Sequence, residues 1–277
     1  MSETEFGGTR SQLWRWGQGV VCVLIAAWLI LPLITIVPIS FSVQDSFAFP
    51  PRAWTLDRYR SLAEDQWIEP ILNSLLVACL TGIQCAIFGT LASFGIVRSR
   101  SRFVGVVRLL VLAPQIVPIV VVGLGIYLVF LHWHFTGTWW GYAFAHTVLC
   151  LPFVVVPVTA ALQVFDQRLE LASASLGAGP VATFRQVTFP LIRPAILSGT
   201  LLAFLGSFDE LVVALFLQSP SFLTLPVQLY RSMTDTIDPT VAAVATIEMT
   251  LVVIGVVATQ IFHGKKLRSA AASNKSH

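Results

Sequence analysis

The segment Val164-Phe-Asp-Gln-Arg-Leu-Glu-Leu-Ala-Ser-Ala-Ser-Leu-Gly177-Ala-Gly-Pro180-Val-Ala-Thr-Phe184-Arg-Gln-Val-Thr-Phe-Pro190 interrupts an otherwise apolar chain. It is too polar to cross a membrane. Yet Phe165, Leu169, Ala172 and Leu176 step by helical intervals, which marks an apolar face expected to pack beneath the rest of the protein. Gly177 or Gly179 can end that helix in a left-handed conformation. Pro180 suits the first position of a second short helix, where its missing N–H costs nothing. Val181, Phe184 and Val187 then repeat at spacing three, and Pro190 is expected to stop the helix. The segment therefore reads as two short helices around a glycine turn, one face meeting the bundle and the other free for a soluble partner.

On either side of this segment the chain is greasy. Of its residues 56% are apolar and 11% charged, with a mean hydropathy of +0.79. Soluble domains carry roughly 25% charged residues, so a membrane protein is the first reading. Six apolar runs stand out, at about 19–42, 70–97, 105–131, 139–163, 193–218 and 240–263. Each is long enough to cross a hydrocarbon core ~30 Å thick as a helix. Backbone groups in lipid must bond internally, and the runs lack the alternation of barrel strands, so the fold class is all-α. The domain plan is a cytoplasmic N-terminus 1–18, a six-helix membrane domain 19–263 with the polar loop at 164–192, and a cytoplasmic tail 264–277. The run after Arg10 and Arg15 is longer than a signal-peptide core and lacks a small-x-small cleavage site, so it reads as an uncleaved first span.

Charge sets the orientation. Arg10 and Arg15, then Arg98, Arg100, Arg102 and Arg108, then Arg168, Arg185 and Arg193, and finally Lys265, Lys266, Arg268 and Lys275 fall on one side. The other side holds only Arg52, Arg58, Arg60 and Arg231. The positive-inside rule then places the basic side, with both termini, in the cytoplasm. A net charge of +3 gives no reason to expect nucleic acid as a partner. Cys22, Cys79, Cys85 and Cys150 all sit in apolar runs without a CxxC pair, so buried thiols are expected and no metal site is. His132 and His134 flank Trp133 in a short loop and read as interfacial polar residues.

Three further features bear on architecture and path. Ser74, Ala78, Gly82, Ala86, Gly89 and Ser93 form one small-residue face on the second span, which favours close helix packing in lipid. Pro114 and Pro118 in the third run, and Pro152 and Pro157 in the fourth, can kink their helices. Asp209 and Glu210 fall midway along the fifth run, and Glu248 inside the sixth. A carboxylate at a helix centre costs ~2.5–3.5 kcal/mol on insertion scales, so such residues line a cavity or meet a partner. They are the candidates for a path that carries a cation. Neighbours on a helix diverge by about 100°, so Asp209 and Glu210 are not expected to serve one surface.

The stretch Leu169 to Ala178 resembles the EAA loop of ABC-importer permeases, which reads roughly L-E-E-A-A-x-x-L-G-A and then F-x-x-V-x-L-P. Leu169, Glu170, Ala172, Leu176, Gly177, Ala178, Phe184, Val187 and Pro190 stand in register with it. Leu171 replaces the usual glutamate and Ser173 the second alanine, while Glu170 is turned about 100° from that position. Phe41 to Ser74, with Phe49-Pro-Pro51, Asp57-Arg-Tyr59 and Asn73-Ser74, is similar to the first outer loop of spermidine/putrescine-type permeases. Leu225-Pro-Val-Gln-Leu-Tyr230, Asp238-Pro239, Ala242 to Ile247 and Ser207-Phe-Asp-Glu210 fit the same subfamily.

The resemblance implies the type I ABC-importer permease fold, with the polar loop as a coupling segment between helices four and five. It implies two cytoplasmic ATPase subunits docked on that loop. It further implies a second permease, expected to be a different chain rather than a copy, and a periplasmic substrate-binding protein. The implied cargo is a polyamine or related small cation; iron, opines or phosphonates are alternatives within the same fold. The chain has no GxxxxGK[ST] loop, so it is not expected to be an enzyme or to bind a cofactor, and ATP and Mg belong to the partner. An ion-coupled secondary transporter is the rival from another class, but no internal repeat of the spans supports it.

Overall fold

The computed structural model of the chain describes residues 6–44, 46–236 and 238–254. Among these residues the backbone is helical almost throughout, and extended pairing is limited to isolated bridges at Ser42–Trp54 and Ser219–Phe222. Among the described residues four helices are long and apolar enough to cross a membrane, or five if one sharply bent pair is counted as a span. The chain divides into two units, Asp65–Arg231 and the flanking segments Met1–Glu64 with Ser232–His277.

The unit Asp65–Arg231 is built on three helices: α3 (Asp65–Arg98), α6 (Trp139–Val164) and α9 (Phe189–Phe208), which pack against one another. The small-residue face of α3 is the face that makes this packing. Ser74, Ala78, Gly82, Gly89 and Ser93 are buried and Ala86 is half-buried. A Cβ on Gly89 would fall 2.8 Å from Val154 Cβ, and one on Gly199 2.8 Å from Val154 Cα and 2.7 Å from Phe153 O. At both positions α6 passes too near for any side chain. Ser93 Oγ donates to Val155 O (3.2 Å) across the α3–α6 seam, so the close approach also supplies an interhelical hydrogen bond. The interior groups Cys85, Cys150, Val154, Val158, Ile192 and Ala203 into one apolar cluster, while Leu91, Leu109, Leu201 and many like them face outward. An exterior this apolar suits lipid.

The third apolar run is not one continuous helix; the kink expected of its prolines falls at Pro118 and amounts to a break, while Pro114 stays inside a helix. It splits into α4 (Val104–Ile116) and α5 (Ile119–His132), which meet at a bend of 110°. Val117 is extended (ψ 138°), as the residue before a proline prefers, and Pro118 (ψ 128°) cannot donate to the preceding turn. Pro152 and Pro157, by contrast, remain inside the unbroken α6. The fifth run also breaks: α9 ends at Phe208 and α10 (Val212–Leu217) starts after a three-residue gap.

The second short helix does not stop at Pro190 either. After α7 (Arg168–Ser175), α8 (Pro180–Thr183) passes through a π-helical turn, Phe184–Thr188, directly into α9. The Phe189 N–H reaches back five residues to Phe184 O. A wider turn just before Pro190 relieves the clash that a proline ring makes with the carbonyl one turn earlier.

In the flanking unit, α1 (Phe6–Ser40) begins well ahead of the apolar run it contains, and is followed by α2 (Asp57–Ser61). Ser40 Oγ and Tyr59 Oη are 2.7 Å apart, and backbone bonds from Val43 to Ala53 and from Thr55 to Phe41 close the intervening loop. α11 (Leu225–Arg231) closes the first unit. The sixth run is helical over Thr240–Ile254, here α12, with Asp238 Oδ1 accepting from the Thr240 N–H (2.8 Å). Its remainder and the tail 264–277 lie outside the described residues. Only Cys85 and Cys150 are buried; Cys22 and Cys79 face outward, so the expectation of four buried thiols fails for two. An apolar run does not tell its lipid face from its protein face.

Gly199→Ala should push α6 and α9 apart and destabilise the protein by about 1–3 kcal/mol, as overpacking does. Gly95→Ala, on α3 with nothing within 4 Å, should be tolerated. Thermal unfolding of the two variants in detergent makes the comparison.

Candidate functional site

The loop between α6 and α9 folds as its sequence suggests. α7 ends at Ser175, and Gly177 takes φ +84°, the left-handed conformation that favours glycine. The Gly177 N–H donates to Ala174 O (2.9 Å) and the Ala178 N–H to Ser173 O (3.2 Å), the two bonds of a Schellman closure. Pro180 is the first residue of α8.

The rotation of α7 differs from expectation. The stripe Phe165, Leu169, Ala172 and Leu176 does not pack beneath the bundle: Leu176 is 89% exposed, and Leu169 and Ala172 are exposed too. Glu170 and Ser173 face inward instead. Ser173 Oγ pairs with Thr183 Oγ1 (3.1 Å), joining α7 to α8. Glu170 Oε1 accepts from Arg98 Nη2 at 2.5 Å, and the same oxygen accepts from the Thr188 hydroxyl. A charge-assisted pair and a hydroxyl outweigh the apolar stripe of an eight-residue helix. The outer surface of the pair is consequently apolar, with Leu171 68% and Val181 72% exposed. Phe184 is partly covered, edge-on to Phe94 and tilted against Phe189.

Partial burial pushes the Glu170 carboxyl up, but the hydrogen bonds from Thr188 and Arg98 and the Arg98 charge outweigh that and hold it below its ordinary 4.5. A carboxyl depressed by folding stabilises the fold at any pH above its unfolded value, and the contribution disappears as pH falls through the folded value. The tie is therefore complete at neutral pH. Glu170→Gln should lower the thermal midpoint at pH 7 and flatten the acid limb of the midpoint-against-pH curve, measured on the purified chain in detergent.

The acids of the fifth run are not mid-helix. Asp209 and Glu210 occupy the gap between α9 and α10, and they diverge as expected. Asp209 is exposed. Glu210 is buried, Oε1 accepting from the Val213 N–H and Oε2 from the Ala214 N–H, each at 3.0 Å. It thus satisfies two of the donors that a helix start leaves unpaired. Beside it lies His146 of α6, wholly buried, with Nε2 3.6 Å from Glu210 Oε2 and Nδ1 2.9 Å from Ser207 Oγ. Ser207 Oγ donates onward to Thr81 Oγ1 (3.2 Å), which donates to Ala143 O (3.4 Å). A polar chain thus runs through the packed helices at the level of the break. The sequence reading missed His146, Arg98 and Thr188. For His146 a signal existed, since an ionisable side chain alone in an apolar run normally has a partner. Glu248 is half-buried on α12 and has an interaction partner.

Glu210→Ala should strand two backbone donors and destabilise by about 1–3 kcal/mol each, whereas Glu210→Gln, which keeps an acceptor, should lose less. Thermal unfolding in detergent separates the two.

Residues 85–268 match the family of binding-protein-dependent transport system inner membrane components. The chain is 29% identical over 252 residues to the spermidine/putrescine transport system permease protein PotC of Escherichia coli K12, covering 91% of this chain and 95% of that one. It is 31% identical over 239 residues to the putrescine transport system permease protein PotI of the same organism, covering 82% and 84%. In fold it is similar to a bacterial ABC transporter involved in the import of the acidic polysaccharide alginate, with TM-score 0.75 at 16% identity over 91% of this chain and 96% of that one. That last likeness fixes the fold alone. The chain belongs to the binding-protein-dependent transport system inner membrane components, the membrane-spanning permeases of ABC importers.

Proposed function

We propose that this permease forms part of the translocation path for a polyamine or a closely related small organic cation, and is driven through α7 and α8 by a separate ATPase. The carrying observation is the exposed apolar surface of Leu171, Leu176 and Val181 on a segment fastened to the ends of two spans. Apolar side chains exposed at a loop that is fixed from behind are suited to a partner's groove. The basic residues at that end of the chain support a cytoplasmic location for the segment and both termini. Two ATPase subunits, a second permease of different sequence and a periplasmic binding protein complete the proposed assembly, and ATP and Mg reside in the ATPases.

The cargo reading rests on the relatives named for spermidine and putrescine transport, which match this chain over most of its length. Asp209 supports it as an exposed carboxylate at an interrupted span, able to offset a cationic charge. Glu210 serves its neighbouring backbone first, and Glu248 is the further path candidate.

Two measurements test these halves separately. Leu176→Asp should reduce the ATPase that copurifies with the tagged permease while leaving the permease in the membrane; undiminished ATPase would remove the docking assignment. Asp209→Asn should lower spermidine uptake by about tenfold in an assembled complex, the scale of losing one charged contact. Unchanged uptake would exclude Asp209 from the path.

A further inference from the structure

The reading of α7 as a handle leaves open how a push on eight residues reaches the spans. Leu171 and Leu176 point outward, and Leu169 is only partly covered. Ser173 joins α7 to its neighbour α8 through Thr183, and what fastens α7 to the spans is one carboxylate oxygen. Glu170 Oε1 accepts from Arg98, in the last turn of α3, and from Thr188, the final residue of the π turn that begins α9. Thr188 is buried and Glu170 half-buried, while Arg98 closes the tie from the exposed side. Arg98 is itself held, its guanidinium lying 4.7 Å over the Phe94 ring, and Phe94 meets Phe184 edge-on at 5.7 Å. Each participant is thus tied to the next across three separate elements.

Resting on that handle reading, we propose that Glu170 is a positioning residue: a clamp that makes α7, the end of α3 and the start of α9 move as one body when the ATPase moves. Its work is inside the permease, and the partner interface is left to the apolar residues. The wide π turn assists, because it turns Thr188 toward the same oxygen while continuing the helix into α9. Charge-assisted bonds converging on one acceptor are stiff and specific in geometry, as a strut requires.

The test uses the whole importer in lipid vesicles, with native cysteines replaced and spin labels at Ala174→Cys on α7 and Arg100→Cys just after α3. Wild type should give a narrow label distance unchanged to within about 2 Å between nucleotide-free and ATP-trapped states. Glu170→Ala should broaden that distribution and make it depend on nucleotide, while ATP hydrolysis and the copurifying ATPase are retained. Uptake of radiolabelled spermidine per ATP hydrolysed should fall by about tenfold. The charge swap Arg98→Glu with Glu170→Arg should restore the narrow distribution, which a general loss of folding would not permit. A wild-type distance that shifts by more than about 3 Å with nucleotide would overturn the clamp, as would an unaltered distribution in Glu170→Ala. Loss of the ATPase from Glu170→Ala would instead place the carboxylate at the partner surface and equally overturn it. Absence of the ATPase from the wild-type preparation is a separate failure, of the handle itself, and the label distance on the permease alone still reports the tie.

Discussion

Everything in this permease is arranged around the cost of an unpaired backbone group in hydrocarbon. Straight helices meet that cost without help. Each departure from a straight helix needs a compensation, and the compensations are where the functional features lie. At Val117–Pro118 the compensation is the proline, which has no donor to lose, next to a residue whose extended conformation the ring favours. Between α9 and α10 it is the Glu210 carboxylate, taking both the Val213 and Ala214 N–H groups. At the entry to α9 it is a π turn that keeps bonding through the proline.

Close packing is the second consequence of life in lipid. Without a hydrophobic drive between helices, contact area and interhelical hydrogen bonds decide association. Gly89 and Gly199 bring α6 against α3 and α9 at distances that no side chain would allow, and Ser93 uses the proximity to bond across. A tightly packed trio of helices passes displacement on as a unit. That rigidity is what makes a clamp at its end, Glu170 with Arg98 and Thr188, worth having: movement delivered to α3 and α9 is delivered to α6 as well.

Much of this was legible in the sequence. The glycine turn at Gly177, the start of a helix at Pro180 and the buried small face of α3 follow from local chemistry, and the structure has all three. The errors share a cause. Hydrophobic periodicity reports that a run is apolar but not whether it is continuous, so Pro118 reads as a kink and not as a 110° break, and the gap at Asp209–Leu211 leaves no sign. The rotation of α7 was misjudged because its apolar stripe was visible locally, whereas the partners of Glu170 lie on α3 and beside α9, far away in sequence. The partners of His146 are equally distant in sequence: Ser207 lies on α9 and Glu210 in the gap that follows it.

The central claim is that force enters through the outer face of α7 and α8. An electron cryomicroscopy map of the intact importer, trapped with nucleotide, tests it most directly. The account predicts ATPase density packed against Leu171, Leu176 and Val181, with Glu170 still turned inward to Arg98. Those three side chains standing free in solvent, or lying on the membrane face opposite the ATPases, would contradict it.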